Sequence, residues 1–244
     1  MRITFIFGFI LLMTINACNQ SRSIETNSMI DDANSLPGIS YLALGDSYTI
    51  GEAVDSTLRW PMQLADTLRN VYHFQINIPT IVATTGWTTN ELQEGINEAD
   101  LEEKYELISL LIGVNNQYRG YNFEQFEEEY ETLIKWAIQH SVHGESGIFA
   151  VSIPNYGVTP FGQTRGEDTI RTELLAYDAK AKEICARYGI PFFDITPISE
   201  EAKNNSELIA EDQLHPSGLQ YTKWVRSFAH QVAKLISDWP GYSK

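Results

Sequence analysis

Cysteine and positive charge are both scarce in this chain of 244 residues. Cys18 and Cys185 are its two cysteines, so one disulfide is the most it could form. Lys and Arg total 17 against 32 Asp and Glu, a formal net charge of −15, and the isoelectric point is near 4.7. No basic cluster interrupts that balance, which excludes the cationic surface a nucleic-acid binder needs. Internal repeats are also lacking, and nothing marks a second domain. The length suffices for one domain with a full hydrophobic core.

Long apolar runs are missing too, except at the start. Arg2 precedes a mostly apolar stretch, Ile3 to Ile15, which is short for a spanning helix and has the length of a signal-peptide core. It ends in Ile15-Asn16-Ala17-Cys18, which resembles the lipobox of bacterial lipoproteins, although Asn16 is not the commonest residue at its position. That resemblance implies a signal peptide over 1–17, lipid on Cys18, and a lipid-anchored protein of the bacterial envelope. The alternative is an ordinary secretory signal with an incidental cysteine. Residues 18–36 are polar, rich in Ser, Asn and Asp, and read as a flexible tether ahead of a folded domain at 37–244. With Cys18 lipidated, Cys185 has no partner, and its helical surroundings suit a buried structural thiol.

Short apolar runs then alternate with helical patterns. The runs are Ile39–Leu44, Ile76–Val82, Leu107–Ile112, Gly147–Ile153 and Ile190–Asp194, nearly continuous as in strands buried on both faces. Helices are expected over Trp60–Tyr72, Asn90–Glu98, Phe123–His140 and Thr169–Tyr188, with a last one from about Ser217 to Ser237. This alternation of β and α elements implies a single α/β/α sandwich, flavodoxin-like, around a mainly five-stranded parallel sheet. The acidic run Glu124, Glu127, Glu128, Glu129 and Glu131 lies mostly off the apolar stripe of its helix and reads as a solvated face.

Ligands of such sheets bind at the carboxyl ends of the strands. Four segments sit there or close by: Gly45-Asp46-Ser47-Tyr48, Gly86, Gly113-Val114-Asn115-Asn116 and the Pro154-Asn155-Tyr156 loop. Near the other end stands Asp212-Gln213-Leu214-His215. Each is weak singly: Ser47 suits a helix N-cap, Asp212 a turn, and His215-Pro216 a helix start. Together, a serine with an acid and an imidazole downstream suggests an activated nucleophile. His140 and His143 are better explained by the end of a helix than by a metal, and His73 and His230 have no evident partner. Trp87, Tyr118, Tyr121, Tyr156 and Phe161 lie on loops near the expected mouth.

In order and strand context these blocks resemble the SGNH (GDSL-type) hydrolase superfamily across about residues 38 to 237. The resemblance implies Ser47 as nucleophile, His215 as base and Asp212 as its orienting acid. It further implies an oxyanion hole from the Ser47 and Gly86 N–H groups and the Asn115 amide. Asn116 departs from the family's usual Asp. Neither a metal nor a cofactor is expected. The implied activity is cleavage of carboxylic esters through an acyl-enzyme, on short acyl or O-acetyl groups, carbohydrate included. Longer-chain lipase, lysophospholipase or thioesterase activity is the alternative, and a non-catalytic binding lipoprotein on the same fold is an alternative of another class. A flavodoxin-type nucleotide or flavin site is disfavoured, because Asp46 occupies the place of a phosphate-cradling loop.

Overall fold

The computed structural model describes residues 38–242. The expected signal segment, Cys18 and the tether lie outside them. Five strands, β1 (Tyr41–Gly45), β2 (Thr80–Ala83), β3 (Leu107–Leu111), β4 (Ile148–Val151) and β5 (Phe192–Phe193), form one sheet in the order β2-β1-β3-β4-β5. All four pairings are parallel. β1, β3 and β4 are buried along their whole length, which accounts for their continuous apolar sequences. This is the α/β architecture, with its five-stranded parallel sheet, expected from the alternating pattern.

The helices are α1 (Ser47–Ile50), α2 (Trp60–Asn70), α3 (Thr89–Glu98), α4 (Val114–Tyr118), α5 (Phe123–His140), α6 (Pro160–Gln163), α7 (Glu167–Arg187), α8 (Thr196–Glu200) and α9 (Gly218–Ser237). α2 packs on α9, with Trp60 and Phe228 both set edge-on or tilted against Phe149 of β4. α5 packs between α3 and α7 in the other layer, where Phe126 and Tyr177 meet at 4.5 Å. Cys185 is buried in α7, and burial pushes its thiol up to about 11, so it stays protonated and inert.

The strands are shorter than their apolar runs, and at two of them a proline sets the limit. Pro79 has no N–H to donate, so β2 begins at Thr80, and the earlier Ile76 makes only an isolated bridge to Ile39. Pro191 likewise confines β5 to Phe192–Phe193. The acidic face of α5 is only partly solvated. Glu127 reaches Lys180 at 3.3 Å and Glu131 reaches Arg187 at 3.1 Å, tying α5 to α7. His140 ends α5, whereas His143 lies beyond it. Their rings stack on different tryptophans, Trp136 at 3.9 Å and Trp239 at 4.0 Å, so they do not converge on one point.

Candidate active site

β1 and β3 are neighbours from which the chain departs to opposite sides of the sheet, and the site is built beside their carboxyl ends. Gly45 closes β1, where an added Cβ would collide with the Thr49 side chain and approach the Leu111 carbonyl to 2.5 Å. Asp46 then caps α1, its Oδ1 accepting the Tyr48 N–H at 3.0 Å. Ser47 is therefore the first residue of a single helical turn. Its N–H has no hydrogen-bond partner among the described residues. Asp46 is completely buried, and burial pushes its carboxyl up to about 7 against two backbone hydrogen bonds.

The acid and base share one loop ahead of α9. His215 Nδ1 lies 2.6 Å from Asp212 Oδ2, while Asp212 Oδ1 accepts the N–H groups of His215 at 2.9 Å and Leu214 at 3.0 Å. Burial acts to raise the Asp212 carboxyl, but these hydrogen bonds prevail and hold it below the usual range. An ionised Asp212 accepts a hydrogen bond from the Nδ1–H of His215, which leaves the Nε2 lone pair of the imidazole available as a base. Gln213, between the two, has φ +62°, a left-handed conformation that folds the loop tightly enough for this short reach. The ring of Tyr48 meets the His215 ring edge-on at 5.7 Å.

Ser47, Gly86, Asn115 and His215 all line one open cleft of about 240 Å³, together with Tyr48, Thr85, Val114, Tyr118, Tyr156, Phe161 and Leu214. Gly86 has φ +91°, which a side chain would strain, and its N–H has no partner among the described residues. Asn115 Nδ2 donates to the Trp87 carbonyl at 2.9 Å, leaving its second N–H for another acceptor. Three donors thus border one space beside a serine and an imidazole. That is an arrangement able to receive developing negative charge on an oxygen.

Of the five mouth aromatics, the cleft gathers Tyr118, Tyr156 and Phe161. Trp87 instead packs over Gly95 of α3, and Tyr121 lines a neighbouring polar groove with Glu91 and Asn122. Two supporting residues were not legible as such. Arg119 Nη2 donates to the Gly86 carbonyl at 2.6 Å and Nη1 to Glu91 Oε1 at 3.1 Å, while Glu91 Oε2 accepts the Thr88 N–H at 2.8 Å. Their one sequence signal is the capping box Thr88-Thr89-Asn90-Glu91. Asn116 is fully buried and does not face the cleft. It accepts the Thr89 N–H at 3.1 Å and donates to Thr89 Oγ1 at 2.7 Å, and that hydroxyl in turn donates to Glu129. Among the described residues no group of three or more His, Cys, Asp or Glu is arranged to hold a metal ion.

Solved structures with the same fold are numerous, and three of them share 14–18% identity with the chain. An acetylxylan esterase from Geobacillus stearothermophilus, Axe2 in a catalytic mutant, superposes with a TM-score of 0.64 at 18% identity, covering 86% of this chain and 97% of that one. TesA gives 0.63 at 15% identity, with 80% and 99% coverage. The psychrotrophic esterase EstA from Pseudoalteromonas sp. gives 0.57 at 14% identity, with 82% and 99% coverage. These likenesses establish the shared fold. No curated protein sequence is recognisably similar to the chain. The family model described as GDSL-like Lipase/Acylhydrolase matches residues 43–223, a span that starts within β1 and ends within α9 and contains every residue lining the cleft. The chain belongs to the GDSL-like lipase and acylhydrolase family.

Proposed function

We propose that the protein is a serine esterase acting on short acyl groups, O-acetyl groups on carbohydrate among them. The observation carrying this reading is the convergence of Ser47, His215, Gly86 and Asn115 on one cleft of about 240 Å³. That space lies below the roughly 300–1,000 Å³ of clefts that enclose drug-sized ligands, which favours a small acyl group over a long chain. The acetylxylan esterase among the structures of like fold is consistent with this choice.

In the proposed reaction His215 Nε2 takes the hydroxyl proton as Ser47 Oγ attacks the acyl carbon. Asp212 holds the imidazole in its tautomer and stabilises the imidazolium. The carbonyl oxygen, now negative, receives the Ser47 and Gly86 N–H groups and the free Asn115 N–H. His215 returns its proton to the departing alcohol as the bond to it breaks. Water, deprotonated by the same imidazole, then releases the acid and restores Ser47.

Hydrolysis of p-nitrophenyl esters from acetyl to palmitoyl, by the protein and its Ser47→Ala variant, tests this reading. A rate that declines with chain length and drops in the variant by about three orders of magnitude or more supports it. A maximum at long chains would replace it with the lipase or thioesterase alternative. Equal rates in both proteins would favour a binding function. The pattern around Cys18 supports an envelope protein held by a lipid anchor, and a Cys18→Ala variant is expected to leave the membrane fraction when cells are separated.

A further inference from the structure

At the mouth of the cleft stands a cation that the proposed reaction does not use. Arg165 lies in the turn between α6 and α7, exposed, with its guanidinium carbon 3.8 Å from the centre of the Phe161 ring and 5.7 Å from that of Tyr118. Both rings line the cleft. The polar contacts of the guanidinium are long and neutral: the Phe161 carbonyl and the Tyr118 hydroxyl, each at 3.5 Å. Among the described residues Arg165 pairs with no carboxylate, although acids outnumber bases 32 to 17.

Three glutamates of this region are engaged elsewhere. Glu167 takes Lys203 at 2.7 Å, Glu173 takes the Gln117 amide at 2.6 Å, and Glu200 takes Arg171 at 2.6 Å. Arg165 nevertheless acts on the cleft: burial raises the Tyr156 phenol, and the Arg165 charge works against that rise. A guanidinium supported on aromatic faces keeps its edge donors free for bidentate contact with a planar or tetrahedral oxyanion. In a molecule of net charge −15 an anionic substrate is repelled at long range, so its capture needs a local cation of this kind.

We propose that Arg165, seated on Phe161 and Tyr118, recognises an anionic oxygen group, carboxylate or phosphate, on the part of the ester that projects from the cleft. This specificity role rests on the esterase reading of the site. The test uses three aryl acetates that differ only in their para substituent: a carboxylate, a phosphate monoester, and the neutral methyl ester of the first. In R165Q the ratio of kcat/KM for the matching charged ester over the neutral one falls by about fivefold, the size expected of an exposed ion pair. R165K restores part of it. Whichever ratio falls identifies the anion, and two unchanged ratios overturn the proposal.

Calorimetric titration with benzoate and phenyl phosphate reads the same contact without turnover. Binding of either that weakens in R165Q supports the proposal. Absent binding, or binding equal in the two proteins, overturns it. Anion binding that depends on Arg165 in a protein with no Ser47-dependent hydrolysis would overturn the esterase reading alone.

Discussion

Asn116 shows how one atom changes a buried contact. Its amide donates to Thr89 Oγ1, so that hydroxyl keeps its own proton for Glu129. An aspartate at 116 would offer only acceptors, and one hydroxyl proton would then face two carboxylates. Asn116→Asp is expected to cost about 1–3 kcal/mol, measured by urea unfolding, and the added change Glu129→Gln is expected to recover much of it. Additive losses in the double variant would refute the coupling. The departure from the family's usual residue is thus matched by Glu129, which lies on a different helix. No reading of the motif block alone could have found that match. Ser47, Asp212 and His215 were legible because each belongs to a short block whose chemistry is local. Arg119 and Arg165 were not, since their places beside the cleft depend on which carbonyl or ring the fold brings next to them.

Elements explain why the aspartate that caps α1 is tolerated in a dry site. Asp46 and Asp178 are both pushed up to about 7, chiefly by burial, from a starting value of 3.8. Asp178 accepts the Ile153 N–H at 2.8 Å and so anchors the chain just after β4. A carboxyl whose folded value is raised contributes stability that is full below its unfolded value and is lost as pH rises through the folded one. Wild-type stability is therefore expected to fall between pH 4 and 8. Asp46→Asn retains the acceptor for the Tyr48 N–H, and its stability should fall less across the same interval. Denaturant titrations at pH 5 and 8 decide this, and parallel losses in both proteins would contradict it. A second device at this scale is the brace on the Gly86 turn. Arg119→Leu removes the grip on the Gly86 carbonyl and should lower kcat by about tenfold or more with KM little changed, because a loosened donor matters most in the transition state. A rise in KM at constant kcat would show that Arg119 serves binding instead.

The larger elements were foreseeable from period and length: five apolar runs became five strands and the long amphipathic patterns became helices α2, α3, α5, α7 and α9. The short turns α1, α4, α6 and α8 carry too few residues to show a period. Their existence depends on caps such as Asp46 and Thr159 and on what packs around them.

Across the whole molecule, one apolar cluster runs from Ile39 to Trp239 and joins both faces of the sheet. Val158, Ala202 and Leu208 form a separate small cluster with Ile209 against it, next in sequence to the loop bearing Asp212 and His215. That loop is closed locally, by Ala210 N–H to the His215 carbonyl at 2.8 Å and by Ser217 N–H to the Leu208 carbonyl at 2.9 Å. Resting on this small cluster, with Leu214 only partly buried against the main core, the segment should open at a lower free energy than the sheet. Amide hydrogens over 204–216 are expected to exchange well before those of β1 and β3. Esterase activity should then vanish at lower urea than far-UV ellipticity. Coincident losses would instead place the loop within the main cooperative unit.

The order of the blocks along the chain has a practical side. Every group proposed to touch the substrate's oxygen, namely Ser47, Gly86 and Asn115, is encoded before α5 begins. Asp212 and His215, proposed to handle the proton, come after α8 and are hydrogen-bonded to each other within one loop. A break in the exposed turn around Arg165 and Gly166 would yield two fragments, one holding the proposed nucleophile without its base and the other the proposed base without its nucleophile. Colour from a chromogenic ester would then appear only when the fragments are brought together. The arrangement lends itself to a split reporter whose signal is the reunion of two silent halves.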